Sequence, residues 1–284
     1  MNIFYYLIFI FSPVSTFWQP NSFLVNNPYG IKMRRLDITS TSGIVKKTQV
    51  QQMRKVDKKI ISKITDPNVF TSNQKEYINA LNNKNIDLVI SNGPAGTGKT
   101  FIACNYAIKE LANNNYNKIV ITRPLSSADE DLGYLPGTLQ NKMDPWIKPM
   151  LDTFSEYYSY ETIYKMIEND IISINPLAYM RGRTFKNSII IADEMQNSNP
   201  NQMKMLLTRI GENSKIIITG DTDQIDQNID SGLLHLENLF KEKMNYTDFN
   251  ENLFMRDNGI SLIKFNETDI KRHKLVKTIL NLYY

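Results

Sequence analysis

Cysteine is almost missing. Cys104 stands alone in 284 residues, which excludes a disulfide framework and suits a reducing compartment. The two histidines, His235 and His273, are too far apart to offer a metal-ligand spacing. No fixed-period repeat and no long low-complexity tract is present. No apolar run reaches the roughly 20 residues that a membrane-spanning helix needs. The run that opens the chain stops at Pro13 and is followed by the small residues Ser15 and Thr16. That length fits the core of a signal segment, although no Lys or Arg precedes it. Acids are scarce over residues 1–60, where nine Lys and Arg face only Asp37 and Asp57, a balance of +7. Subtracting this from the net charge of +4 leaves −3 for residues 61–284, so the body lacks the global positive field of a dedicated duplex-nucleic-acid binder.

The expected organisation is a hydrophobic leader at 1–16, a basic and acid-poor arm or transit segment at 17–70, and one globular domain at 71–284. The front segment reads either as a two-part leader for import into an organelle such as a plastid, or as a disordered or membrane-touching arm of an otherwise cytoplasmic chain.

From Asn73 onward, short β-branched runs alternate with longer amphipathic stretches. Strands are expected at 87–91, 118–122, 171–174, 188–192, 215–219 and 260–265. Helices are expected at 74–81, 100–112, 145–158, 161–168, 201–210 and 268–282. Apolar strands joined by helical crossovers argue for an α/β fold, a mostly parallel sheet with helices on both faces.

Gly93, Pro94, Ala95, Gly96, Thr97, Gly98, Lys99 and Thr100 match G-x-x-x-x-G-K-[ST] between an expected strand and an expected helix, the context that gives this motif its meaning. The glycines let backbone amides turn toward a β-phosphate, and the helix N-terminus adds partial positive charge. Lys99 supplies a point charge to the β- and γ-phosphates, and Thr100 offers a hydroxyl to magnesium. The expected cofactors are therefore ATP and Mg2+.

A second block, Ile189-Ile190-Ile191-Ala192-Asp193-Glu194, is an apolar strand ending in two carboxylates. In a parallel sheet ligands lie beyond the carboxyl ends of the strands, so both acids emerge on the same edge as the phosphate loop. Asp193 is expected to hold magnesium through water, and Glu194 to orient or deprotonate the attacking water. The strand at 215–219 should end beside Asp193, and Gln224 beyond it either senses a γ-phosphate or belongs to an ordinary polar turn, Gly, Asp and Thr being turn residues.

Weaker candidates keep two readings each. Gln74 is either an adenine clamp or a helix-surface residue. Arg123 follows a strand end and suits a phosphate either of nucleotide or of nucleic acid. Arg181 and Arg183 flank Gly182 and suit either an anion or a structural pair. Arg272 is either an arginine finger or a surface charge. Cys104, Met203 and Met205 read as core filling, and Trp146 and Tyr157 as packed helix residues.

Nine ordered blocks carry a family resemblance: NQKEY at 73–77, GPAGTGKT at 93–100, TRP at 122–124, LGYLPG at 132–137, PLAYMRGRTF at 176–185, DEMQN at 193–197, QMKMLLTRIG at 202–211, TGDTDQID at 219–226 and RH-x-LV at 272–276. Together they resemble the PhoH family of P-loop ATPases from roughly Asn73 to the C-terminus. The resemblance implies a RecA-like core similar to half of a superfamily 1 helicase, ATP binding and hydrolysis, and hexamer-type rings of identical subunits with sites near their boundaries. It also implies a link to phosphate starvation and RNA metabolism, with RNA as a partner. Carried over, the nucleotide-contacting positions are Gly93 to Thr100, Asp193, Glu194 and Gln224, with Gln74 and Arg272 alongside. Met195 stands where the family has alanine, Gln227 and Asn228 replace Leu-Pro, and Lys274 replaces a proline. The last two departures bear on the loop beyond Gln224 and on Arg272. One branch of the family carries a PIN nuclease domain; the front segment here is too short and too poor in acids for one. The functional expectation is a Mg-ATPase that remodels RNA or a ribonucleoprotein, and the alternative is an ATP-dependent adaptor that recruits a partner with little turnover.

Overall fold

The computed structural model describes residues 70–124, 139–226, 229–243 and 257–271, with backbone alone at 139–146 and Lys243. Among these residues six strands form one wholly parallel sheet: β1 (Leu88–Asn92), β2 (Lys118–Arg123), β3 (Ile172–Pro176), β4 (Ser188–Ala192), β5 (Lys215–Gly220) and β6 (Ile260–Lys264). Their order across the sheet is β3-β2-β4-β5-β1-β6. The expected strands all appear, displaced by a residue or two at most of their ends.

Alternation along the strands builds two cores. Val89, Ile119, Ile121, Ile189, Ile191, Ile217 and Ile263 point into one, and Ile90, Val120, Ile190, Ile216 and Ile218 into the other. Burying such a side chain stabilises the fold by about 1.5–3 kcal/mol, which is why the central strands are nearly all β-branched. The first core is roofed by α1 (Ser72–Asn82), α2 (Lys99–Ala112), α3 (Leu139–Ser155) and α4 (Tyr160–Glu168). In α3 the stripe Ile147, Met150, Leu151 and Phe154 follows helical spacing. The second core lies beneath α5 (Pro200–Leu207) and α6 (Gly232–Lys243). No described helix is long and apolar enough to cross a membrane.

Local chemistry sets the helix ends. Thr71 and Gln74 form a reciprocal capping box on α1, and Asn199 and Gln202 form another on α5, where Pro200 starts the helix. Asn113 caps the end of α2, and Asn114 turns the chain at φ 59°.

Four expectations need correction. The helix expected at 145–158 begins earlier, at Leu139, and ends at Ser155. The helix expected at 201–210 stops at Leu207, because Ile210 makes a β-bridge with Phe185; its buried stripe is Met203 and Leu206, with Met205 only partly covered. Helix α6 was not expected at all. The helix expected from Thr268 is replaced at its start by a single 3-10 turn, Glu267–Asp269, capped by Asn266; residues beyond Lys271 lie outside the described ones. The leader, the arm and the LGYLPG block likewise lie outside them.

Candidate functional site

β5 lies between β1 and β4, so the carboxyl ends of these three strands form one edge. Asn92 is in register with Gly220, and Ala192 with Ile218. The phosphate loop therefore rises from β1, the acidic pair from β4, and the Asp221 turn from β5 between them.

Gly93 stands at φ 143°, and a Cβ there would lie 2.4 Å from the carbonyl oxygen of Phe265. Glycine is required by both backbone and packing. Gly98, at φ 87°, caps α2 and aims its first amides into the loop. Lys99 Nζ donates to the carbonyl of Gly93 at 2.5 Å and to that of Pro94 at 2.8 Å, so its ammonium sits over the loop.

Opposite, Thr100 Oγ1 donates to Asp193 Oδ1 at 2.7 Å, and Thr219 donates to the same oxygen. Burial pushes the Asp193 carboxyl above its ordinary value. The Thr219 hydroxyl opposes that rise, the Glu194 charge adds to it, and the Thr100 hydroxyl and the Arg123 charge oppose it further. Thr100 and Asp193 present hard oxygens at hydrogen-bond distance, a donor set that fits magnesium. No group of three or more His, Cys, Asp or Glu among the described residues could cage a metal alone. An ion held here would also take oxygens from phosphate, as magnesium does in nucleotide sites.

Glu194 has left-handed backbone, φ 54° and ψ 38°, a conformation that costs a non-glycine residue about 1 kcal/mol or more. Its carboxylate accepts from Gln196 Nε2 at 2.6 Å, and Gln196 Oε1 accepts from the Asp221 amide at 3.1 Å. Gln196 thus spans from the β4 end to the β5 end while almost wholly buried. Asp221 is buried as well. Burial raises its carboxyl, opposed by the Asp223 amide and by the charge of Lys99.

A cavity of about 260 Å³ lies between these walls, lined by Ala95, Gly96, Lys99, Thr100, Asp193, Glu194, Asp221 and Gln224 among others. Gln224 is exposed on its rim, its amide donating to Asp221 O at 3.0 Å. The eight loop residues, Asp193, Glu194 and Gln224 are brought together as their strand-end positions require.

Gln74 is 3 % exposed, so it is not a helix-surface residue. Its Nε2 donates to Thr97 O at 2.8 Å, and its Oε1 accepts from Thr71 N at 3.0 Å. The amide fastens the phosphate loop to the cap of α1. Arg123 ends β2, half-buried and near enough for its charge to bear on Asp193. Arg183 donates to Asn175 Oδ1 at 3.1 Å and lies 5.0 Å above the Phe185 ring, while Arg181 is exposed. Cys104 is buried core. Arg272 lies outside the described residues.

Two site residues carried no expectation, Thr219 and Gln196. Gln196 stands two places past the acidic pair, a visible signal, whereas Thr219 ends an apolar strand and gains its place only through the contact with Asp193.

The PhoH-like protein family matches residues 68–284. A PhoH-like protein of Bacillus subtilis is 39% identical over 259 residues, covering 89% of this chain and 76% of that one. A PhoH-like protein of Synechocystis is 40% identical, covering 75% of this chain and 61% of that one. Protein PhoH of Escherichia coli is 35% identical, covering 74% and 56%. The match thus spans little more than half the length of the last two relatives. Among solved structures, the Sulfolobus solfataricus SWI2/SNF2 ATPase core in complex with dsDNA is similar at 16% identity and a TM-score of 0.40, over 69% of this chain and 44% of that one. With one family covering the whole described domain and relatives at this identity, the chain belongs to the PhoH-like protein family.

Proposed function

We propose that the chain binds ATP with magnesium in this cavity and hydrolyses it, and that turnover drives remodelling of RNA or a ribonucleoprotein by a ring of identical subunits. The observation that carries the reading is the contact between Thr100 Oγ1 and Asp193 Oδ1 at 2.7 Å, in the cavity that Lys99 also lines. Magnesium, when bound, would neutralise charge on the phosphate oxygens and orient them.

The chain's own groups supply the rest. Loop amides and the α2 N-terminus hold the β-phosphate, and Lys99 leaves its carbonyl partners for phosphate oxygens. Glu194, held by Gln196, orients a water and receives its proton at a carboxylate oxygen. Gln224, on the rim, contacts the γ-phosphate while it is present. RNA and the ring assembly follow from the family resemblance rather than from any group in the cavity.

ATP turnover, measured with and without single-stranded RNA, tests this. Lys99→Ala should lower the rate by about 100-fold or more. Glu194→Gln should lower it by about 100- to 10,000-fold while retaining bound ATP. Equal turnover in all three proteins would contradict enzymatic use of the site. Lack of turnover together with ATP-dependent capture of a partner would favour the adaptor reading.

A further inference from the structure

The register pair Asn92 and Gly220 ends strands β1 and β5, one residue before the phosphate loop and one before Asp221. Helix α6 stands over this pair. A Cβ on Gly220 would lie 2.4 Å from Leu233 Cδ2, so the helix packs closely there. Four residues on, and hence on the same helix face, Glu237 is buried and accepts from Asn92 Nδ2 at 2.8 Å. Asn92 Nδ2 also donates to Thr222 Oγ1 at 2.9 Å, and its Oδ1 accepts from the Thr222 amide at 3.0 Å.

One side-chain amide therefore ties three elements together: the strand feeding the phosphate loop, the turn that leads to Gln224, and α6. The orientation of that amide is fixed by its partners. Reversed, Nδ2 would face the Thr222 N–H and Oδ1 would face the Glu237 carboxylate. An apolar residue would serve packing at this strand end as well, whereas a fully engaged buried amide specifies one arrangement. The cavity lining includes none of Asn92, Thr222 and Glu237.

We propose that Asn92, oriented by Glu237, is a positioning residue that sets the Thr222–Gln224 turn against the phosphate loop and thereby fixes the preference for ATP over ADP. The proposal rests on the cavity being an ATP site. A slack joint lets Gln224 drift from the γ-phosphate while leaving the loop that holds the β-phosphate in place. Loss of the joint should therefore weaken ATP more than ADP.

The test compares full-length wild type, Asn92→Asp, Glu237→Gln and the double variant. Fluorescent ATP and ADP analogues are titrated with magnesium, and thermal unfolding is followed in parallel. Asn92→Asp sets two carboxylates against each other and should cut the ATP-over-ADP preference about tenfold, with ADP affinity held within about twofold. Glu237→Gln keeps an acceptor for Asn92 and should behave as wild type. The double variant restores the contact with donor and acceptor exchanged and should recover the preference to within about twofold. An unchanged preference in Asn92→Asp, a parallel loss of both nucleotides that tracks unfolding temperature, or failure of the double variant to recover would each overturn the joint. Wild type that binds neither nucleotide would instead overturn the site, and the joint's role with it.

Discussion

Asp193 is held at a compromise between burial and use. Desolvation disfavours its charge, yet two threonine hydroxyls donate to a single oxygen and stabilise the ionised form. A carboxyl raised in the folded state contributes stability below its folded value and loses it as pH rises through that value. Asp193→Asn keeps an acceptor for both hydroxyls and removes the buried charge. In the absence of nucleotide the variant should unfold at or above the wild-type temperature near neutral pH. Mg-ATP should raise the unfolding temperature of wild type and not of the variant, because only a ligand bound to the folded state shifts that equilibrium. Thermal scans with and without Mg-ATP check both halves. A variant that is less stable alone, or equally stabilised by Mg-ATP, would contradict this role for the carboxylate.

At the scale of elements, the two ends of β5 do different work. Its carboxyl end carries Thr219 and the Asp221 turn, and its amino end carries Lys215, which is buried and clips the strand to the end of α1. Lys215 Nζ donates to Leu81 O at 2.7 Å and to Asn83 O at 2.9 Å. Burial lowers its pKa from 10.5 to about 8, against the charges of Asp87 and Glu110. Below about pH 8 the folded protein carries a buried cation that the unfolded chain keeps in water. Above that value the folded state sheds its proton while the unfolded chain retains one up to about 10.5, so folding gains stability across that window. Urea unfolding of wild type and Lys215→Met at pH 7 and pH 9.5 should show the difference in stability shifting in favour of wild type at the higher pH. A constant difference would refute it.

The same scale explains what could be read from the sequence. β4 was legible because three isoleucines and two acids state burial and polarity in consecutive residues. α6 was not, because Glu237 interrupts its buried stripe and finds its partner 145 residues away. The phosphate loop was legible because its chemistry is packed into eight neighbouring positions. The joints around it were not, since Gln74 with Thr97 and Gln196 with Asp221 are neighbours only once the sheet is folded. Ile210 stands at helical spacing from Leu206, four residues on, yet pairs with Phe185 as a bridge.

Among the described residues one parallel sheet, with β5 placed between the loop strand and the acidic strand, makes one polar edge, and the described site residues converge there. The segment after β6 joins this edge too, with the Lys271 amide donating to Gly96 O at 3.2 Å and Phe265 packed on Gly93. As proposed above, this edge would hold a triphosphate through its loop amides, Lys99, and a metal placed by Thr100 and Asp193. Isothermal titration of full-length wild type and Lys99→Ala with ATP, in magnesium and again in excess chelator, tests it most directly. Saturable binding at one site per chain is expected for wild type in magnesium, weakened by at least about tenfold when the metal is removed or Lys99 is lost. Equal heats for both proteins with and without magnesium, or no saturable heat at all from folded wild type, would contradict the claim.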